Sequence, residues 1–190
     1  MRLLLAAVAA SVLASCSGRP AAFYGTTMRS VRATDFTLVR QDGRPFRLAD
    51  QRGKEVVLFF GYTHCPDICP TTMARLARMY HSLPESVKER IRVVFITIDP
   101  QRDTPAVLAR YVALFDPRFI GLTGTQAALD RVYTAYGVLH ERVAAHGAVG
   151  YLMAHSSTIY LIDMEGALRV LHDWNADLAK LRSDVLRLAS

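Results

Sequence analysis

Residues 55–62 read Glu-Val-Val-Leu-Phe-Phe-Gly-Tyr and run straight into Thr63-His64-Cys65-Pro66-Asp67-Ile68-Cys69-Pro70. The first half is a continuous apolar run of strand length, the pattern of a strand buried on both faces. The second half is a polar, proline-bracketed turn. It leads into Met73, Leu76, Ala77, Tyr80 and Leu83 at helical spacing, with Pro70 suited to a first helical turn. A buried strand therefore feeds a helix through a turn that carries two cysteines.

Working outward, residues 91–98 (IRVVFITI) form a second buried strand. A strand, a crossover helix and another buried strand imply a parallel pair. Upstream, Phe36, Leu38, Phe46 and Leu48 alternate around Asp42-Gly43, a hairpin signal over residues 35–50. Downstream, Thr104-Pro105 opens a helix carrying Val107, Leu108, Tyr111, Val112 and Phe115. A short strand follows at 119–122, then a helix from Thr125 to Gly137. Residues 157–163 and 167–171 make a second hairpin around Glu165-Gly166, and Asn175 caps a last helix of Leu178, Leu181, Val185 and Leu188. This order resembles an α/β fold: a thioredoxin-like mixed sheet flanked by helices, with an N-terminal hairpin and one inserted helix.

The 190 residues are 51% hydrophobic and 21% charged, enough for one domain with a sizeable core and too apolar for disorder. Three cysteines exclude a disulfide-dense scaffold. No run approaches the roughly 20 apolar residues that span a bilayer. The 23 basic and 17 acidic residues give a formal charge of +6, but the arginines are scattered rather than striped among aromatics. That pattern predicts a solvated basic surface and no nucleic-acid partner.

Met1-Arg2 and the apolar stretch to Leu13 form a short charged region and hydrophobic region, followed by Ala14-Ser15-Cys16. The pattern resembles a bacterial lipoprotein signal, cleaved before Cys16, whose thiol and new amino terminus take lipid. The expected organisation is a signal peptide at 1–15, a lipidated anchor and tether at 16–34, and one domain at 35–190. The domain is then held at a bacterial cell membrane, on the extracytoplasmic side. Cys16 is consumed as the anchor, so Cys65 and Cys69 remain as a pair where thiols persist only if oxidised, metallated or actively reduced.

Both cysteines fall where a helix begins, and there free backbone N–H groups favour thiolate. A spacing of four puts the two sulfurs on one face of a turn, able to converge on one ion or to approach disulfide reach. Two thiolates favour soft ions, and Cu(I) tolerates low coordination; the same pair equally suits disulfide exchange. A third ligand would discriminate. Of the six histidines, His81 falls near a helix end and His140 and His146 in a polar connection. His172 follows a strand, and His64 is adjacent to Cys65. His155 precedes the hairpin strand whose entrance faces the cysteine junction in a thioredoxin-like sheet.

Three segments carry a family resemblance: Gly-Tyr-Thr-His-Cys-Pro-Asp-Ile-Cys-Pro at 61–70, Asp-Pro-Gln-Arg-Asp-Thr-Pro at 99–105, and Ala154-His155-Ser156 before Thr158-Ile159-Tyr160-Leu161-Ile162-Asp163. Together they resemble the Sco/SenC family, membrane-anchored copper proteins that assist assembly of the dinuclear copper site of cytochrome c oxidase. The resemblance implies that Cys65, Cys69 and His155 are copper ligands and that Cys65 and Cys69 can form a redox disulfide. It also implies a copper donor protein and a copper-receiving oxidase subunit as partners. Gly150 and Ala154 depart from the family, which often carries aspartates there. The 99–105 segment reads first as local structure, with Asp103 or Thr104 capping the helix begun by Pro105. The function expected is copper binding and delivery through Cu(I) or Cu(II), not turnover. The alternative is an extracytoplasmic thiol–disulfide oxidoreductase that reduces the cysteines of an oxidase subunit.

Overall fold

The computed structural model describes residues 22–144 and 150–189. The lipoprotein signal, the lipidation at Cys16 and His146 lie outside the described residues. The strands are β1 (Thr26–Arg32), β2 (Thr37–Arg40), β3 (Pro45–Arg47), β4 (Glu55–Gly61), β5 (Ile91–Thr97), β6 (Ile120–Thr123), β7 (His140–Ala144), β8 (Tyr151–His155), β9 (Thr158–Ile162) and β10 (Ala167–Asp173). The helices are α1 (Ile68–His81), α2 (Glu85–Lys88), α3 (Pro105–Ala113), α4 (Gln126–Tyr136) and α5 (Leu178–Leu188).

Among the described residues, eight strands share one sheet in the order β1-β10-β9-β4-β5-β6-β2-β3. β4, β5 and β6 are parallel, as the crossover argument predicts, and β9 closes on the other side of β4 antiparallel. Every residue of β4 is buried, so its apolar run faces protein on both sides. Successive side chains on a strand point to opposite faces, and Phe59 and Phe60 divide the core accordingly. Phe59 packs on Phe95, which meets Tyr111 of α3. Phe60 meets Tyr133 and Tyr136 of α4 and Tyr160 of β9. The predicted first hairpin is β2–β3, turning through Gly43 at φ 81°, a left-handed conformation in which glycine carries no steric penalty.

Three expectations need correction. Part of the predicted tether is β1, paired antiparallel with β10. An outermost strand with one open edge needs no apolar alternation, and Thr26–Arg32 shows none. The supposed polar connection around His140 contains β7 and β8, which pair with each other as a separate two-stranded ribbon. Most of β7 is exposed, so the burial signal is missing there too. The last helix is capped by Asp177, whose side chain accepts from Lys180 N–H at 3.0 Å, not by Asn175. Of the two candidates for the α3 cap, Thr104 takes the role, accepting from Val107 N–H at 3.3 Å.

Candidate metal centre

β4 ends in Gly61, and the chain turns through residues 62–67 before α1 begins at Ile68. The turn leaves Cys65 half-buried, while Cys69, one residue into the helix, is wholly buried against the sheet. The free N–H of Cys69 donates to Cys65 Sγ at 3.3 Å, the use of helix-start donors that the sequence predicts.

His155 ends β8 and arrives from the ribbon. Its Nε2 lies 3.3 Å from Cys69 Sγ, and its Nδ1 lies 2.9 Å from the Ser156 carbonyl. A carbonyl only accepts, so Nδ1 carries a proton there and Nε2 is the ring nitrogen turned towards the sulfurs. The ring is held edge-on by Phe59 and Tyr62, with centroids at 6.4 and 6.0 Å. Cys65, Cys69 and His155 thus bring three donor atoms within 4.8 Å of one another, the one such cluster among the described residues. A donor set of two sulfurs and one imidazole nitrogen suits a soft transition metal, and the Nδ1–carbonyl bond is the orienting contact that metal-ligating histidines usually make.

The thiols are electrostatically unequal. A hydrogen bond from the Cys69 thiol, opposed by burial and joined by His155 and the backbone N–H groups of Cys69 and Asp67, holds the Cys65 thiol down to about 4. The same bond to Cys65, together with burial and the neighbouring negative charge, pushes the Cys69 thiol up. The pair therefore places its first negative charge on the more accessible sulfur.

The other described histidines are engaged elsewhere. His64 contacts Thr63 Oγ1 at 3.0 Å, His81 meets Asp116 at 2.9 Å, and His172 meets Asp184 at 3.0 Å. His140 meets the Tyr133 ring edge-on with centroids 4.5 Å apart. Ala154 is exposed on the ribbon face opposite His155, so its missing carboxylate takes nothing from the donor cluster. Sequence reasoning missed Thr63, Asp99, Arg102, Asp103 and Tyr151, which bond the 99–103 turn to the cysteine turn and to the ribbon. The one signal for them is the density of charge at 99–103, which helix capping alone also accounts for.

The SCO1/SenC family model matches residues 25–190. The mitochondrial SCO2 homolog of Bos taurus is 41% identical over 133 residues, covering 70% of this chain and 50% of that protein. The chain spans about half to two-thirds of the length of the curated relatives it matches. Among solved structures, copper-bound ScoI of Bradyrhizobium japonicum superposes with a TM-score of 0.75 at 32% identity, covering 83% of this chain and 99% of that one. Apo Sco1 of Thermus thermophilus gives 0.76 at 38% identity, covering 88% and 96%. Matching across nearly the whole described fold, this chain belongs to the SCO1/SenC family.

Proposed function

We propose that this protein is a copper metallochaperone that holds Cu(I) through the Cys65 and Cys69 thiolates and His155 Nε2 and delivers it to the dinuclear copper site of cytochrome c oxidase. The observation that carries the reading is the convergence of those three donor atoms within 4.8 Å. Soft sulfur donors and a low coordination number favour Cu(I); structural zinc would ask for a fourth ligand that the cluster lacks among the described residues. The same donors accept Cu(II) with an added oxygen ligand. Half-buried Cys65 is the sulfur that an incoming ligand of the recipient subunit reaches, so release proceeds by ligand exchange beginning there. The copper-bound relative supports the binding half of the reading, and the family resemblance is the support for the delivery half. Lipid on Cys16, after removal of residues 1–15, would hold the domain on the extracytoplasmic side of a bacterial membrane, beside the oxidase and the copper donor protein.

The test is a Cu(I) titration of the anaerobically purified protein. It should bind one equivalent; Cys65→Ser should abolish stoichiometric binding, and His155→Ala should weaken it severely. Stoichiometric copper retained by Cys65→Ser would sink the reading.

A second reading, thiol–disulfide exchange, draws on the thiol asymmetry. An accessible thiolate beside a buried thiol is the arrangement for attack on a substrate disulfide. Cys65 would form a mixed disulfide and expel one substrate thiolate. Cys69 would then lose its proton, attack Cys65 and release the second, so the substrate gains the two electrons this pair loses. Reductant turnover that is untouched in His155→Ala would favour this reading over delivery.

A further inference from the structure

Of the charged residues at 99–103, none is used for capping; three side chains turn inward instead. Asp103 is fully buried and faces the cysteine turn. Thr63 donates to it twice, from its N–H at 3.0 Å and its hydroxyl at 2.6 Å, and the Thr97 hydroxyl donates from the end of β5 at 2.6 Å. Asp99 and Arg102 face the ribbon. Arg102 donates from Nε to Asp99 and from Nη1 to the Tyr151 carbonyl, the latter at 3.1 Å. The Tyr151 hydroxyl donates to Asp99 Oδ1 at 2.8 Å. The guanidinium carbons of Arg102 and Arg142 lie 3.7 and 3.8 Å from the centroid of the Tyr151 ring. Two groups that close to one ring must occupy its opposite faces, so the ring is sandwiched. Gln101 accepts from Arg142 at 2.6 Å and ties the second guanidinium back to the same turn.

His155 ends the strand that Tyr151 begins, and side chains four apart on a strand share a face. Among the described residues the β7–β8 ribbon pairs with no strand of the main sheet. Backbone bonding to the sheet resumes only in β9, three residues beyond His155, so the ribbon that carries the imidazole leans on side-chain contacts, and a lone two-stranded ribbon is marginally stable by itself.

We propose that the 99–103 turn is the positioning element of the donor cluster: Asp103 fixes the cysteine turn through Thr63, and Arg102, with Arg142, clamps the His155 ribbon through the Tyr151 ring. The proposal rests on the copper reading of Cys65, Cys69 and His155 and deepens it. Arg102 and Tyr151 act on His155 through the ribbon, so they are positioning residues. One five-residue turn thereby braces both the turn that carries the thiols and the ribbon that carries the imidazole.

The experiment compares Tyr151→Leu, which removes ring and hydroxyl, with Tyr151→Phe, which keeps the ring in place. Amide exchange of the metal-free protein is followed by NMR, and Cu(I) affinity by competition with bicinchoninate. The Leu variant should exchange the amides of β7 and β8 about tenfold faster while β4 and β5 are unchanged. Its Cu(I) affinity should fall about 10–100-fold, the range for removing support from a metal ligand. The Phe variant should stay within about threefold of wild type on both measures, because a ring face still meets each guanidinium. Wild-type ribbon protection in the Leu variant overturns the clamp. So does a loosened ribbon with unchanged Cu(I) affinity, or a Phe variant as impaired as Leu. His155→Ala separates the two claims. If it binds Cu(I) as tightly as wild type, the copper reading of the site fails, and amide exchange still decides whether Tyr151 holds the ribbon.

Discussion

Gly61 and Cys69 lie so close that a Cβ on Gly61 would stand 2.9 Å from the Cys69 sulfur and 2.9 Å from Phe95 Cε2. The strand that carries the apolar run therefore ends in the one residue type that lets a buried cysteine rest on the sheet. Gly61→Ala should force Cys69 or Phe95 aside and cost about 1–3 kcal/mol, the usual penalty of overpacking a dense core. The same displacement should weaken Cu(I) binding, because the sulfur and His155 Nε2 are only 3.3 Å apart. Urea denaturation of the metal-free variant checks the first effect and a Cu(I) competition checks the second; wild-type stability would show that the contact yields freely.

Glu55 opens β4 fully buried, and neither carboxylate oxygen has a hydrogen-bond partner. Burial, reinforced by the charge of Asp163, raises its pKa well above the ordinary 4.5. The folded protein thus keeps a proton that the unfolded chain releases, and stability falls as pH climbs from the ordinary glutamate range towards the raised value. Glu55→Gln keeps the shape without the ionisation. It should exceed wild type by about 1–3 kcal/mol at pH 8 and lose that advantage towards pH 4. Parallel pH profiles of the two proteins in urea titrations would mean that this carboxyl does not titrate between them.

The sequence discloses β4 and β5 because both faces of each are covered, so the apolar run is unbroken. The cysteine turn is equally legible, since prolines bracket reactive residues at a strand–helix junction. β1 and the β7–β8 ribbon are not: a strand exposed along one side needs neither alternation nor an apolar run, and HERVA at 140–144 has neither. His155 follows from the family resemblance more than from its own neighbours, because its placement depends on that unread ribbon. Asp99 and Asp103 fit helix-start grammar so well that nothing local betrays their partners. Those partners, Tyr151 and Thr63, are 52 and 40 residues away in the chain.

Asp184, buried on α5, fixes the entry to β1. It accepts from the N–H groups of Tyr24 and Gly25 at 2.9 Å each and contacts His172 Nε2 at 3.0 Å. Asp184→Ala strands the buried His172 imidazole and two part-buried N–H groups and should cost about 1–3 kcal/mol, since a buried polar group without a partner loses its full solvation. Asp184→Asn, which keeps one acceptor oxygen, should lose less. Amide exchange at Tyr24 and Gly25 should rise in both variants before any change in β4; if these amides stay protected in the alanine variant, the clasp lies elsewhere.

Cys65 and Cys69 are both free thiols, with their sulfurs inside the 4.8 Å donor cluster. A disulfide needs the sulfurs about 2.05 Å apart, so modest closure of the turn would join them. Oxidation removes both thiolates at once and leaves His155 as a lone nitrogen, a poor site for Cu(I). The oxidised protein should therefore bind essentially no Cu(I), and recovery should need a dithiol reductant. Bound copper should in turn slow oxidation, because the Cys65 thiolate that would attack is occupied. The measurement is Cu(I) binding before and after oxidation, with mass spectrometry recording the loss of two hydrogens and reduction restoring both mass and binding. Equal Cu(I) binding by the fully oxidised protein would mean that the ligands are not this pair, and the copper reading of the cluster would fall with it.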